Sequence, residues 1–110
     1  MAYDAKQIAK ASGGLTLAGA PEGFDALVMA DIARARGGLT AFVARDTARA
    51  NAFLDALKFF APEIEAVLFP SWDCLPYDRV GPSAGVAAQR MATLSRLARG
   101  LGTAKPAMLV

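Results

Sequence analysis

The 110-residue chain contains no histidine and only one cysteine, and these two shortages exclude several kinds of chemistry. A single cysteine forms no internal disulfide, and without histidine the chain lacks the ligands of a typical zinc site. Catalytic Ser-His-Asp and Cys-His arrangements are excluded for the same reason. The sequence therefore predicts no disulfide framework, no metal site and no catalytic residues of these types.

Long apolar runs and strong charge are also absent. No run approaches the roughly 20 residues that span a bilayer, and the start, MAYDAKQIAKASGG, lacks the apolar stretch of a signal peptide. The net charge of +2 is too small to indicate nucleic-acid binding by itself. These features predict a soluble, cytoplasmic protein of one domain, with no membrane partner.

Helical and strand-like segments alternate along the chain. The predicted helices are residues 3–12, residues 24–36, a helix capped by Asp46 that runs to residue 60, and a helix capped by Ser83 that runs to residue 99. The predicted strands are residues 15–19, 39–45, 64–69 and 107–110. This alternation indicates an α/β fold with a parallel sheet and flanking helices. We expect the GAPEG turn and the loop after residue 69 to share the carboxyl edge of the sheet, since each follows a predicted strand.

Apolar spacing predicts which face of each long helix points inward. The predicted inward residues are Phe24, Leu27, Val28 and Ile32, then Ala50, Phe53, Leu54 and Leu57, then Ala87, Met91, Leu94 and Ala98. The chain stops within an apolar run, at Leu109 and Val110. Since native termini are usually polar, this ending predicts a fragment of a longer protein.

The turn before the second helix invites comparison with the phosphate-binding P-loop, G-x-x-x-x-G-K-[ST]. In AGAPEGFD, Ala18 stands at the first Gly, Gly23 at the second, Phe24 at the Lys and Asp25 at the Ser or Thr. Phenylalanine neutralises no phosphate, and an aspartate at the start of a helix repels an anion. The residues Ala18, Gly19, Gly23, Phe24 and Asp25 therefore predict a degenerate site that binds no nucleotide cofactor.

The stretch FPSWDCLPYDRVGPS contains the only Trp, the only Cys and three of the six Pro. Asp73 and Asp78 lie five residues apart, where turn-capping aspartates are commoner than a catalytic pair. Trp72 and Tyr77 are rigid, amphipathic side chains suited to a packed contact. That contact is with the core of this domain, with a neighbouring domain or partner, or with both.

The sequence FPSWDCLPYDRVGPSAGVAAQRMATLSRL resembles a signature near the N-terminus of bacterial transcription-repair coupling factors (Mfd). The matching residues are Trp72, Asp73, Leu75, Pro76, Tyr77, Asp78, Pro82, Ser83, Arg90, Met91, Leu94 and Leu97. The order of the turn, Gly-Pro-Ser at residues 81–83, departs from the family pattern. Two upstream segments, GAPEGFDALVMADIARA and FVARDTARANAFLDALKFFAPE, are similar to the excision-repair helicase UvrB.

This resemblance implies a UvrB-like, P-loop-helicase-like subdomain that has lost its ATP site and is not an enzyme. Full-length relatives are ATP-dependent DNA translocases that displace stalled RNA polymerase and recruit nucleotide-excision repair. The implied partners are other domains of the same protein and UvrA, which binds mostly to the following domain. RNA polymerase and DNA are contacted through regions outside this chain.

Six residues are candidates for interaction: Trp72, Asp73, Tyr77, Asp78, Arg79 and Arg90. Two other functions stay open. One is a DNA-binding module that uses Arg79, Arg90 and aromatic stacking. The other is a small α/β enzyme with a non-standard phosphate site at residues 19–23.

Overall fold

The computed structural model describes residues 4–19, 21, 23–72 and 81–110, and these ranges contain four helices and three strands. They are α1 (Ala5–Lys10), α2 (Phe24–Arg36), β1 (Leu39–Ala41), α3 (Thr47–Phe60), β2 (Glu65–Val67), α4 (Ala84–Ala98) and β3 (Ala107–Leu109). The predicted α/β class is confirmed. None of the helices within these ranges combines the length and the apolar character needed to cross a membrane.

The three strands form a parallel sheet in which β3 lies between β1 and β2. Met108 of β3 aligns with Thr40 on one side and with Ala66 on the other. The pairing continues past β1, where the Phe42 N–H donates to the Leu109 carbonyl at 2.8 Å. Because all strands point the same way, their carboxyl ends meet at one edge.

The buried core joins α2, α3 and one face of β3. Its largest fully buried side chains are Phe53, Leu57 and Met108. The Phe42 ring stacks on the Phe53 ring with 3.8 Å between centroids. Small side chains of α2 complete the core, namely Ala26, Ala30 and Ala33. Spacings of four and three residues place these alanines on one helical face, where they let α3 approach closely.

Both predicted N-caps are confirmed. The Asp46 carboxylate accepts a hydrogen bond from the Arg49 N–H at 2.8 Å, and the Ser83 hydroxyl accepts from the Val86 N–H at 3.2 Å. Each bond satisfies a backbone donor that the first turn of a helix leaves open. The boundaries of α2, α3 and α4 therefore agree closely with the prediction, whereas α1 and the strands are shorter than predicted.

The predicted inward face is confirmed for α3 and partly wrong for α2. In α3, Ala50, Phe53 and Leu57 are buried and Leu54 packs against the core. In α2, Val28 is buried, but Phe24, Leu27 and Ile32 are only partly buried. Contact with α3 selects the alanine face, because small side chains permit closer helix packing than large ones.

The predicted inward face of α4 is wrong. Its four residues are exposed or half-buried: Ala87, Met91, Leu94 and Ala98. The buried residue of α4 is Thr93, whose hydroxyl donates to the Leu68 carbonyl at 2.5 Å. Hydrogen bonds to the segment after β2 thus set the orientation of α4. This orientation differs from the one that the spacing of its apolar residues predicts.

The predicted strand at residues 15–19 is also wrong. This segment has no strand structure, and Leu15 and Leu17 are 60% and 47% exposed. Within the described ranges, no backbone hydrogen bond joins it to the sheet. A strand needs both a hydrogen-bonding neighbour and burial, so the segment stays irregular. The expectation that GAPEG follows a strand is therefore wrong too.

Candidate functional site

A cleft of about 390 Å³ lies at the carboxyl edge of the sheet. Three segments at the ends of the strands line it: residues 41–47 from the end of β1 onward, residues 68–71 after β2, and residues 109–110 at the end of β3. Ala50 of α3 and Arg90 of α4 complete the lining. Parallel α/β sheets commonly meet their ligands at this edge. The cleft is therefore the candidate site.

Arg90 connects α4 to one wall of the cleft. Its guanidinium carbon lies 4.0 Å from the centroid of the Phe69 ring and 4.3 Å from that of the Trp72 ring. Its Nη1 donates to the Pro70 carbonyl at 2.5 Å. We refer to Phe69, Trp72 and Arg90 as the aromatic–arginine cluster. Each cation–π contact contributes about 0.5–2 kcal/mol, so the cluster holds the indole in a defined position.

Trp72 remains 50% exposed within this cluster and lies outside the buried core. Its residue type is compatible both with covering the domain's own core and with contacting a partner. A large rigid side chain that is already positioned loses little entropy when a partner covers it. Its half-exposed state is therefore suited to docking.

An ion pair closes the N-terminus of α2. Asp25 pairs with Arg49 of α3, and the two side chains are only 25% and 22% exposed. The same carboxyl group accepts from the Ala26 N–H at 2.8 Å. Because the residue before the helix, Gly23, is in the left-handed region at φ 86°, the chain turns sharply into Phe24. An anion that approached the start of α2 would meet the Asp25 carboxylate. The nearby cation, Arg49, is already paired with that carboxylate.

Two further residues of the predicted degenerate site precede the turn into α2. Ala18 and Gly19 are exposed in the irregular segment before α2. Asp46, which caps α3, lines the cleft and lies in the same turn as Arg49. The ion pair is thus beside the cleft, although no strand leads into it.

Asp46 is the carboxylate at the cleft. The Arg49 N–H, followed by the side chain of Arg45, holds the pKa of Asp46 below its usual value. The Arg45 Nε lies 3.3 Å from the Asp46 carboxylate, and both side chains are largely exposed. At neutral pH this group is an ionised helix cap, a structural role, and not a proton donor.

Of the six interaction candidates, the structure brings Trp72 and Arg90 together. Asp73, Tyr77, Asp78 and Arg79 lie outside the described residues. Sequence reasoning missed Phe69, which it assigned to the last position of the predicted strand 64–69. An aromatic residue at a strand end, three residues before a tryptophan, was the available signal.

Comparisons with protein-family models, with curated proteins and with solved structures gave no match. The resemblance to transcription-repair coupling factors therefore stays a prediction from the motif.

Proposed function

We propose that the chain is a non-catalytic docking module, the first UvrB-like subdomain of a transcription-repair coupling factor. The observation that carries this proposal is the aromatic–arginine cluster, which holds a half-exposed Trp72 beside the cleft at the carboxyl edge. Tryptophan and arginine are the side chains most enriched among the strong contacts of interfaces. Docking uses this edge without requiring any reactive group.

The ion pair at the start of α2 supports the absence of nucleotide binding in this proposal. A P-loop-helicase-like domain needs a positive charge and open N–H groups there, but this chain has Phe24 and a neutralised Asp25. A UvrB-like site that has lost its ATP-binding residues accounts for both Phe24 and the Asp25–Arg49 ion pair. The module then serves as a scaffold, and the ATP-dependent work belongs to other parts of the protein.

In the proposed full-length protein, the translocase displaces RNA polymerase stalled at DNA lesions and recruits nucleotide-excision repair in the cytoplasm. Other domains of that protein are the nearest partners of this module. UvrA is a further partner, bound mostly through the following domain. This assignment rests on the motif from residue 69 to residue 97, and the docking role rests on the cluster.

Direct DNA binding through Arg90 has less support. Its guanidinium contacts two aromatic rings and donates to the Pro70 carbonyl, so its charge is already engaged. An enzyme with a phosphate site at residues 19–23 has less support too, because Asp25 lies at the helix start that would bind the phosphate.

The test is UvrA binding by a longer chain that continues into the following domain. We expect Trp72→Ala to weaken UvrA binding, or the contact with the following domain, by about thirtyfold, which corresponds to roughly 2 kcal/mol. Phe59→Ala is the matched control, because Phe59 is an 80% exposed aromatic at the other end of α3 from the cleft. Calorimetry measures the affinity, and thermal melts measure stability.

Two results would overturn the proposal in different ways. Absence of UvrA binding by the longer chain contradicts the family assignment. A Trp72→Ala variant that melts early but binds as the parent does contradicts the docking role, because the indole then only stabilises the fold. Since Trp72 is half-exposed, we expect its loss to cost less than the roughly 3 kcal/mol typical of a buried aromatic.

A further inference from the structure

Two residues on one side of α4 hold the segment that follows β2. Arg90 Nη1 donates to the Pro70 carbonyl at 2.5 Å, and Thr93 Oγ1 donates to the Leu68 carbonyl at 2.5 Å. Because residues three positions apart are neighbours on a helix surface, both bonds fix the same side of α4 to the same short segment. That segment leads directly into Trp72.

Thr93 is the buried member of this pair. It is 4% exposed, and it is the buried residue of α4. One turn further on, Arg96 pairs with Glu65, but these two side chains are 45% and 53% exposed. An exposed ion pair contributes little to stability, whereas a buried polar group that loses its partner is costly. Among these polar contacts of α4, the attachment therefore depends most on that of Thr93.

The apolar residues of α4 favour a different orientation of the helix. Met91 and Leu94 directly follow Arg90 and Thr93 in the sequence, and they are 66% and 46% exposed. Successive residues lie about 100° apart around a helix. Rotation by one position would therefore turn both apolar side chains inward and carry the Thr93 hydroxyl away from the Leu68 carbonyl. The hydrogen bond of Thr93 opposes this rotation.

The rotation of α4 also decides where Arg90 lies. Its guanidinium carbon is 4.0 Å from the centroid of the Phe69 ring and 4.3 Å from that of the Trp72 ring. A cation–π contact requires the cation to stay over the face of the ring. Loss of the Thr93 hydrogen bond would thus release the indole, although Thr93 is not a member of the aromatic–arginine cluster.

We propose that Thr93 is a positioning residue of the docking site, because its hydroxyl fixes the rotation of α4 that holds Arg90 against Trp72. This role rests on the proposed docking function and deepens it. Trp72 makes the contact with the partner, whereas Thr93 acts through Arg90 and the segment after β2. The attachment of α4 thereby controls whether the docking surface is formed.

Tryptophan fluorescence tests this positioning without a partner. Trp72 is the only tryptophan, so selectively excited emission of the 110-residue chain comes from this indole. Thr93→Val keeps the shape of the side chain but removes the donor. We expect it to increase quenching by acrylamide, a neutral quencher, by about 1.5-fold or more, since the indole loses its support. Thr93→Ser keeps the hydroxyl and should be quenched as the parent is.

Thr103→Val is the matched control. The Thr103 hydroxyl also donates to a carbonyl, that of Gly100 at 2.7 Å, but it lies beyond the end of α4. This variant should leave the quenching unchanged. Circular dichroism and thermal melts verify that each variant is folded at the temperature of measurement. If Thr93→Val does not fold, Thr93→Ala removes the same hydroxyl with a better helix former, and the same increase is expected.

UvrA binding by the longer chain measures the consequence for docking. We expect Thr93→Val to weaken this binding by about fivefold or more, with Thr93→Ser close to the parent. The double variant Trp72→Ala with Thr93→Val should bind no more weakly than Trp72→Ala alone, because both changes remove the same contact. Calorimetry measures the three affinities.

Four results would overturn the proposal. They are unchanged quenching in folded Thr93→Val, an equal increase in Thr93→Ser, additive losses of UvrA affinity in the double variant, or failure of both Thr93→Val and Thr93→Ala to fold. The last result would make Thr93 a residue of general stability. If the longer chain bound no UvrA, the proposed function would fail, while the quenching would still decide whether Thr93 positions the indole.

Discussion

Arg90 shows how one side chain connects several parts of this protein. It lies on α4, contacts the rings of Phe69 and Trp72, and donates to the Pro70 carbonyl. In the sequence it is one of eight arginines, and it is distinguished by its place in the motif that resembles transcription-repair coupling factors. Its charge, its planar guanidinium and its long stem all contribute to the contact, so lysine would not replace it.

Two exposed carboxylates make stability depend on pH at the residue scale. The Arg49 N–H and then Arg45 lower the pKa of Asp46, while the backbone N–H of Glu63 itself and then Arg34 lower the pKa of Glu63. Because each pKa is lower in the folded state, the stabilisation is present above the ordinary carboxyl value and is lost as the pH falls through the folded value. We expect the melting temperature to fall between about pH 5 and about pH 3.

Asp46→Asn tests the contribution of the α3 cap. The amide oxygen still accepts the Arg49 N–H, since asparagine is a good N-cap, but the group no longer titrates. The acid-induced fall in melting temperature should therefore be smaller in this variant. Asp55→Asn, on an exposed part of the same helix, is the control. If the melting temperature of Asp46→Asn followed the same pH profile as that of the parent, Asp46 would not contribute to the pH dependence.

At the scale of elements, the turn after α4 approaches the start of β1 closely. Gly102 has φ 85°, and a Cβ there would lie 3.0 Å from the Gly38 carbonyl carbon and 3.0 Å from the Leu39 nitrogen. Both neighbours are backbone atoms of the residues that open the sheet. Only glycine combines this left-handed conformation with such a close approach.

We expect Gly102→Ala to destabilise the chain by more than about 1 kcal/mol, because strain and contact act together. Gly85→Ala is the matched control, since Gly85 lies in α4 and an added Cβ meets no atom within 4 Å. Alanine there should stabilise the helix by up to about 1 kcal/mol. Urea denaturation measures both changes. If Gly102→Ala and Gly85→Ala changed the free energy of unfolding equally and in the same direction, the close approach at Gly102 would be contradicted.

At the scale of the whole molecule, the proposed non-catalytic role predicts that the chain binds no nucleotide at the start of α2. We expect calorimetry with Mg-ATP to show no saturable binding tighter than about 1 mM, which corresponds to about 4 kcal/mol. The double variant Phe24→Lys with Asp25→Thr should also show no ATP hydrolysis. Hydrolysis needs an acidic Mg²⁺ ligand and a group that positions water, which other parts of a helicase supply.

The same double variant should be less stable than the parent. It removes the Asp25 carboxylate from its ion pair with Arg49, and the loss of an ion pair between two partly buried side chains is destabilising. Phe24→Lys alone keeps the ion pair and serves as the control. ATP turnover above background in the double variant, or saturable binding by the parent, would contradict the non-catalytic assignment.

The candidate site could be predicted only in part. Trp72 and Arg90 were identified as interaction candidates, because their residue types are suited to interfaces. Their contact with one another, the participation of Phe69 and the cleft were not predictable, since residues 69 and 90 are far apart in sequence and meet only when α4 packs on the segment after β2. The segment after β2 lies at the expected edge, whereas no strand leads into GAPEG.

The sequence by itself determined the α/β class, the length of α2, α3 and α4, their caps at Asp46 and Ser83, and the inward face of α3. These features depend on bonds and spacings within a few residues, which local sequence specifies. Only the tertiary structure decided that residues 15–19 form no strand, that α4 turns Thr93 inward and Met91 outward, and that Asp25 pairs with Arg49. Each of these outcomes depends on whether a distant segment supplies a hydrogen bond, a charge or a surface, and that is set by packing.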